Sequence, residues 1–176
     1  MDIQKADYWT VIKFGNLELF MEKLRMENQI IEGMVNSVDR NGISLLEKAL
    51  ISRKFDIANF LLDNNAKVNI ISNEECNELH YLAANIHFTG AVELAHRLVD
   101  LGVNLNLRDR KFGNSAMWSL CQEVFKKRTE EGNHLIVKCL KKRPNMNDLN
   151  KSGYSLKELI EERGTDDIKK VVEEIS

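Results

Sequence analysis

The residues that could bind a metal ion are two histidine and cysteine pairs at helical spacing. Cys76 precedes His80 by four residues, and His134 precedes Cys139 by five. Such spacings can bring two side chains near one another on a helix, but zinc in proteins normally has four converging ligands. Ordinary packing and surface roles explain these residues better. We predict that the protein has no metal site.

Catalytic signatures are the next source of chemistry. The sequence contains no G-x-S-x-G, no Walker loop, no H-E-x-x-H and no dinucleotide-binding glycine cluster. Folding could still assemble a scattered Cys/His/Asp triad, which is the enzyme alternative. Such a triad also needs a deep pocket that excludes water and holds converging polar groups. We predict that the protein is not an enzyme and uses no cofactor.

One stretch is basic enough to suggest phosphate binding. It comprises residues 126–128, Lys138 and residues 141–143. Glu123 and residues 130–131 interleave with the first basic run, as on a solvated helix with paired charges. No aromatic residues alternate with the basic ones to stack on bases. We therefore predict that nucleic acid is not a partner.

The composition is that of an ordinary globular chain. Its 176 residues are 43% hydrophobic and 30% charged, with a formal net charge of -2, so bulk attraction to nucleic acid or anionic lipid is not implied. The sequence has no apolar run of the roughly 18 residues that suggest a membrane span, and its start does not resemble a signal peptide. Its three cysteines, an odd number, favour reduced thiols. We expect one domain spanning 1–176 in the cytoplasm, with no membrane partner.

The elements that must position any functional residue form an internal repeat. A single proline and 18 asparagines fit short helices joined by many turns. Residues 55–62 correspond to 92–99, and both segments run into similar turns. Four turn-then-helix segments start at Asp39, Ser72, Asp109 and Asn150. The predicted units are 1–38, 39–71, 72–108, 109–149 and 150–176.

The unit 39–71 resembles the repeat of the ankyrin family, whose pattern is near D-x-x-G-x-T-P-L-H-x-A-A and later L-L-x-x-G-A-x-V-N. The pattern's proline is replaced by Leu45, and its glycine is missing at Glu75. The resemblance recurs at the same positions of the other units. It predicts an all-α ankyrin-repeat solenoid of about five stacked helix-turn-helix units joined by β-turn fingers. It also implies a structural hydrogen bond for His80. The matching residues are Asp39, Gly42, Ser44, Leu46, Ala49, Leu61, Leu62, Ala66, Val68 and Asn69.

Local physical chemistry supports the same architecture. Gly42, Gly113 and Gly153 lie where a tight turn needs a positive φ. Extra residues near 28–32, 86–89 and 124–130 should lengthen helices or loops without breaking the stack. The acidic segment 156–176 is expected to cap the stack, or to meet a basic partner. Two residues after each turn position come the predicted helix N-caps Ser44, Asn77, Ser115 and Ser155.

The resemblance implies a concave binding surface made of turn fingers and first helices. Phe112, Tyr154 and Ile43 are predicted to be its anchors. In the alternative, Phe112 folds back over its own unit. The finger candidates are Arg40, Asn41, Ile43, Asn73, Glu74, Cys76, Arg110, Lys111, Phe112, Asn114, Lys151, Ser152 and Tyr154. The first-helix candidates are Phe14, Ile51, Ser52, Asn85, Gln122 and Glu123.

The expected function is stoichiometric binding of one protein partner by a chain that is a monomer when free. Usage rich in Asn, Lys and Ile suggests a low-GC bacterium, and we expect the chain to be complete without an attached domain. Small bacterial ankyrin proteins of this kind resemble immunity proteins that cover a cognate toxin. A secreted effector or scaffold that binds a host or cellular protein is the alternative, because fold alone does not fix function.

Overall fold

The structure, a computed structural model, describes residues 1–28 and 31–175. This part of the chain is all-helical, with ten α-helices, a short 3-10 turn at Ile31–Gly33 and three isolated β-bridges. The helices are α1 Tyr8–Phe14, α2 Leu17–Met26, α3 Leu45–Ile51, α4 Phe55–Asp63, α5 Glu78–Ala83, α6 Ala91–Asp100, α7 Ala116–Lys127, α8 Glu130–Leu140, α9 Leu156–Arg163 and α10 Asp166–Ile175.

Helices α3, α5, α7 and α9 begin directly after the residues that the sequence marks as caps. Each cap side chain accepts a hydrogen bond from the backbone N–H three residues later, which satisfies one of the free donors at a helix start. Asp7 does the same for α1, although no opening turn was recognised in that unit. The predicted caps are confirmed at Ser44, Asn77, Ser115 and Ser155.

The turns before these caps have the predicted backbone. Gly42, Gly113 and Gly153 have φ of 74°, 68° and 76°. The turn that lacks the glycine keeps the same geometry, with Glu75 at φ 59°. A non-glycine residue in the left-handed region is strained, so the rest of that turn must hold it there.

The ten helices of the described residues pack as two rows. The first row is α1, α3, α5, α7 and α9, in which each helix contacts the next. The second row is α2, α4, α6, α8 and α10, in the same order. Each predicted unit contains one helix from each row, and the two helices of a pair are in contact. Such helices of about ten residues are marginal alone, so the rows depend on mutual burial.

Apolar side chains fill the space between the rows. The pattern of the second unit shows this, because α3 turns leucine and alanine inward at helical spacing and α4 turns leucine, isoleucine and alanine inward. Alanine at two positions lets the helices approach closely. The residues buried in this unit's interior are Leu45, Leu46, Ala49, Leu50, Ile57, Ala58 and Leu61.

Two of the three sets of extra residues are accommodated as predicted. In the fourth unit they extend the first helix, so that α7 has 12 residues where α3 has 7. In the third unit they form the connection 84–90 between α5 and α6. The third site, near 28–32, includes Gln29 and Ile30, which lie outside the described residues.

Asparagine side chains link consecutive units after the second helices. In each link the side-chain oxygen of one unit accepts a hydrogen bond from a backbone N–H of the following unit, so these donors do not depend on water. This accounts for part of the asparagine content. The three links are Lys67 N to Asn36 Oδ1 at 2.7 Å, Asn104 N to Asn69 Oδ1 at 2.6 Å and Asn145 N to Asn106 Oδ1 at 2.7 Å.

Two further observations bear on the sequence predictions. Within residues 1–28 and 31–175, the helices are all too short or too polar to cross a membrane. The cysteines are free thiols, with Cys121 and Cys139 buried and Cys76 partly buried.

Candidate functional site

The tips of the turns form a continuous edge along the molecule. Adjacent turns are joined by one backbone hydrogen bond each, all at 2.9 Å. The turns are thereby held in register independently of their side chains, which can vary without loss of this link. The three bonds run from Asn73 N to Asn41 O, from Arg110 N to Glu74 O and from Lys151 N to Phe112 O.

The first-helix candidates lie seven or eight residues after the caps of the first-row helices. Phe14 and Ile51 each come seven residues after their caps and are 68% and 38% exposed. Ala84 and Gln122 occupy the same position in the next two units. Asn85 is bound in place, since its Nδ2 donates to Leu50 O at 3.0 Å. This row therefore changes from apolar to polar along the chain.

The turn edge and the helix row meet in a groove between the third and fourth units. The groove has a volume of about 370 Å³, at the lower end of the roughly 300–1,000 Å³ of ligand pockets. Seven of the sequence candidates line it: Glu74, Cys76, Lys111, Phe112, Asn114, Gln122 and Glu123. The structure thus brings seven of the nineteen candidates together around one groove.

Phe112 stands at the tip of the turn that opens the fourth unit. Its backbone N–H donates to Asp109 Oδ1 at 2.6 Å, and Asn114 N donates to Asp109 Oδ2 at 2.9 Å. One carboxylate thus shapes the whole turn. The ring stays 52% exposed, and the Lys111 ammonium lies 4.7 Å from its centroid. The side chain therefore remains available at the groove.

Exposure differs from the sequence prediction at Ile43 and Tyr154. Both were expected on exposed turns, and both are only partly exposed, Tyr154 being packed against the core. The reason is shared: each directly precedes a helix cap, where the chain turns inward. The equivalent Asn114 is only 9% exposed and accepts a hydrogen bond from Asn150 Nδ2 at 2.8 Å. Cys76 holds the fourth such position and is also partly buried. These residues therefore lie on the inner side of the turns and not at their exposed tips.

The remaining turn candidates lie on the surface. Arg40, Asn41, Asn73, Lys151 and Ser152 are exposed. Arg110 is also exposed, and its guanidinium reaches the Glu75 carboxylate of the preceding turn at 3.1 Å. Such exposed ion pairs contribute about 0–1 kcal/mol to stability. Arg110 is thus oriented along the edge and not fixed firmly.

Aromatic and imidazole groups tie neighbouring units together beneath this edge. Trp9 Nε1 donates to Ile43 O at 2.8 Å, and His80 Nε2 lies 3.3 Å from Asn114 O. Both contacts reach the carbonyl just before the next cap, as expected for a structural role of His80. Trp118 lies at the position of His80 in the next unit, but its buried Nε1 has no partner among the described residues.

The electrostatics of the groove are negative. Burial raises the pKa of the Cys76 thiol to about 11, with further contributions from the carboxylates of Asp109, Glu47 and Glu74. Burial also lowers the pKa of His80. At neutral pH the cysteine is therefore a protonated thiol, which is a weak nucleophile.

The other candidate chemistries can be located as well. In the described residues, no group of three or more His, Cys, Asp and Glu side chains is placed to hold a metal ion. Of the basic stretch, Lys126 is paired with Glu123 at 2.6 Å and Lys138 with Asp100 at 2.7 Å. The paired lysines present less free charge to a phosphate than the sequence suggests.

Sequence reasoning missed several residues that line the groove. Tyr81 and Ser119 each lie four residues after a cap, and Ala84 lies seven after one. This regular spacing is a signal in the sequence, because positions four and seven share a helix face. Asp109 also lines the groove, and it was identified only as the start of a unit.

The sequence matches no model of a known protein family. A search of curated proteins gives no significant match either. The class that the structure itself defines is an all-helical chain with two rows of short helices and an exposed turn edge.

Proposed function

We propose that this chain is an ankyrin-repeat solenoid that works as a non-catalytic binding module for another protein. The observation that carries the proposal is the turn edge, whose tips are joined by backbone bonds and continue into an exposed first-helix row. A stack of repeats offers an extended surface of this kind instead of a deep active site. Aromatic and arginine side chains on it, such as Phe112 and Arg110, are the types that dominate protein interfaces.

The biological role we propose is that of a cytoplasmic inhibitor, an immunity protein that neutralises a cognate bacterial toxin. A binder without chemistry of its own acts by covering a surface of its partner. The sequence resemblance to small bacterial ankyrin proteins and the bacterial residue usage support this role. Binding to a host or cellular protein by an exported chain is the competing role, and the identity of the partner separates the two.

The test is affinity capture from a lysate of the source cell, with retained proteins identified by mass. Wild-type protein is compared with the double variant Phe112→Ala, Arg110→Ala. We expect one protein to be held at equal stoichiometry by the wild type and at least tenfold more weakly by the variant, about 1.4 kcal/mol. Inhibition of that protein's toxic activity would support the immunity role.

A matched control is available at the other end of the first-row helices. Arg53 lies over the exposed Phe88 ring, 4.6 Å from its centroid, in connections that follow α3 and α5. The variant Phe88→Ala, Arg53→Ala also removes one aromatic ring and one guanidinium, but at a site away from the turn edge. It should therefore still capture the partner. Thermal melting should be nearly unchanged for both variants. Equal capture by both would contradict the assignment of the turn edge.

A further inference from the structure

The groove between the third and fourth units has apolar walls suited to a long side chain. Phe112 and Tyr81 contribute aromatic surface, and Ala83 and Ala84 leave space beside them. Aliphatic stems of long charged side chains pack well on such surfaces. The groove is open to solvent at the turn edge, so a partner can reach it without rearranging the chain.

The charges around these walls are mainly negative. Glu74, Asp109 and Glu123 line the groove, Glu123 being paired with Lys126 at 2.6 Å, and Lys111 is the one cation among its described lining residues. The ammonium of Lys111 sits at the exposed Phe112 ring. The carboxylates act together at the groove, since Asp109 and Glu74 both raise the pKa of Cys76. An anionic group would be repelled here, and a cationic group would be attracted.

Several hydrogen-bonding side chains of the groove are unused. Those of Glu74, Ser119 and Gln122 form no hydrogen bond or ion pair with the described part of the chain, although they line the same cavity. Asp109, by contrast, is already bound to the backbone of its own turn. The free set offers a carboxylate, a hydroxyl and an amide oxygen, which are all acceptors. Arginine presents five N–H donors in one plane, whereas lysine presents a single ammonium.

We propose that this groove receives an arginine side chain of the partner protein. Its stem packs against Phe112 and Ala84, and its guanidinium donates to the Glu74 carboxylate and to Gln122. The inference rests on the proposed function, because it names the chemistry by which the partner is recognised. It also makes Glu74 the residue that selects a cationic group over a neutral one of the same shape.

The experiment uses a short peptide, so that it does not depend on the unidentified partner. Isotope-labelled full-length protein is titrated with acetyl-Gly-Gly-Arg-Gly-Gly-amide and followed by NMR. Two control peptides replace the arginine, one by citrulline, which is its neutral isostere, and the other by glutamate. We expect shifts of the Ala84, Phe112 and Gln122 signals with the arginine peptide and at least tenfold weaker binding of the citrulline peptide. Equal responses, shifts elsewhere or no shifts at all would overturn the inference.

Glu74→Gln is the decisive variant, and Glu93→Gln is its matched control. Glu93 is exposed on α6, in the second row, so its replacement removes the same charge away from the groove. Glu74→Gln should abolish the preference for arginine over citrulline, and Glu93→Gln should preserve it. If a partner is captured through the turn edge but the peptides are not distinguished, the inference fails and the proposed function stands. If the arginine peptide binds but the Phe112→Ala, Arg110→Ala variant captures the partner as well as the wild type does, the proposed function fails instead.

Discussion

The interior between the helix rows and the turn edge are built in opposite ways. The interior is filled with fully buried leucine, isoleucine and alanine, and its contribution to stability comes from apolar area removed from water. The turn edge is held by backbone bonds and by caps, and its tip side chains point into solvent. Under the proposed function, stability and recognition would lie in different residues of the same unit. Substitutions in one region should therefore leave the property of the other intact.

Leu61→Ala should give the largest effect, because it tests the interior directly. Leu61 is completely buried on α4. Truncating a buried leucine removes apolar contacts and leaves a cavity, so we expect the free energy of unfolding to fall by about 2–5 kcal/mol. Urea denaturation followed by circular dichroism measures this change.

Leu101→Ala is the matched control for that prediction. Leu101 follows α6 and is 50% exposed, so the same substitution should change stability by no more than about 0.5 kcal/mol. Similar losses at Leu61 and Leu101 would mean that the two regions do not differ as described.

Glu47 is an exception to this comparison, because it is a carboxyl group buried at the start of α3 among apolar side chains. Burial raises the pKa of Glu47 to about 8, and Glu78 and Asp39 add to the effect. The folded chain then holds a proton that the unfolded chain loses above its usual pKa of 4.5. Stability from this group is therefore greatest below that value and falls as the pH rises toward 8. The loss is on the order of 3 kcal/mol.

The variant Glu47→Gln isolates this effect. The difference in unfolding free energy between the wild type and the variant should change with pH between 5 and 8, in the direction that favours the variant at high pH. Glu158→Gln is the control, since Glu158 forms the equivalent capping box at the surface. There the backbone N–H of Ser155 lowers the pKa of Glu158. A parallel response of both variants would refute the role of burial.

Much of the fold was predictable because its signals are local. A cap and a left-handed turn depend on a few neighbouring residues, so Ser44, Ser115 and Gly113 could be recognised directly. The partial burial of Ile43 and Tyr154 was missed, although each directly precedes a cap, where the chain turns inward. The burial of Glu47 was not predictable, because it depends on how the neighbouring units pack.

The candidate site was predictable in its parts but not in its arrangement. Phe112, Glu74 and Gln122 were all identified, yet nothing in the sequence places them around one cavity. That requires the third and fourth units to stack with a defined offset, which is a property of the packed interior. The repeat phase predicts which face a residue occupies, and only the structure shows which faces meet.

The smallest effect is expected from the asparagine links, which sharpen the comparison because they join units without forming part of the turn edge. Asn106 Oδ1 accepts a hydrogen bond from Asn145 N at 2.7 Å, and both residues are exposed. Asn106→Ala should cost about 0.5–1.5 kcal/mol, and hydrogen exchange at the Asn145 amide should accelerate. Asn147→Ala is the control, since the Asn147 side chain forms no such link in the described residues. Partner binding should stay intact in both variants, because neither residue lies on the turn edge. Unchanged hydrogen exchange at the Asn145 amide would show that the interior alone holds the units in register.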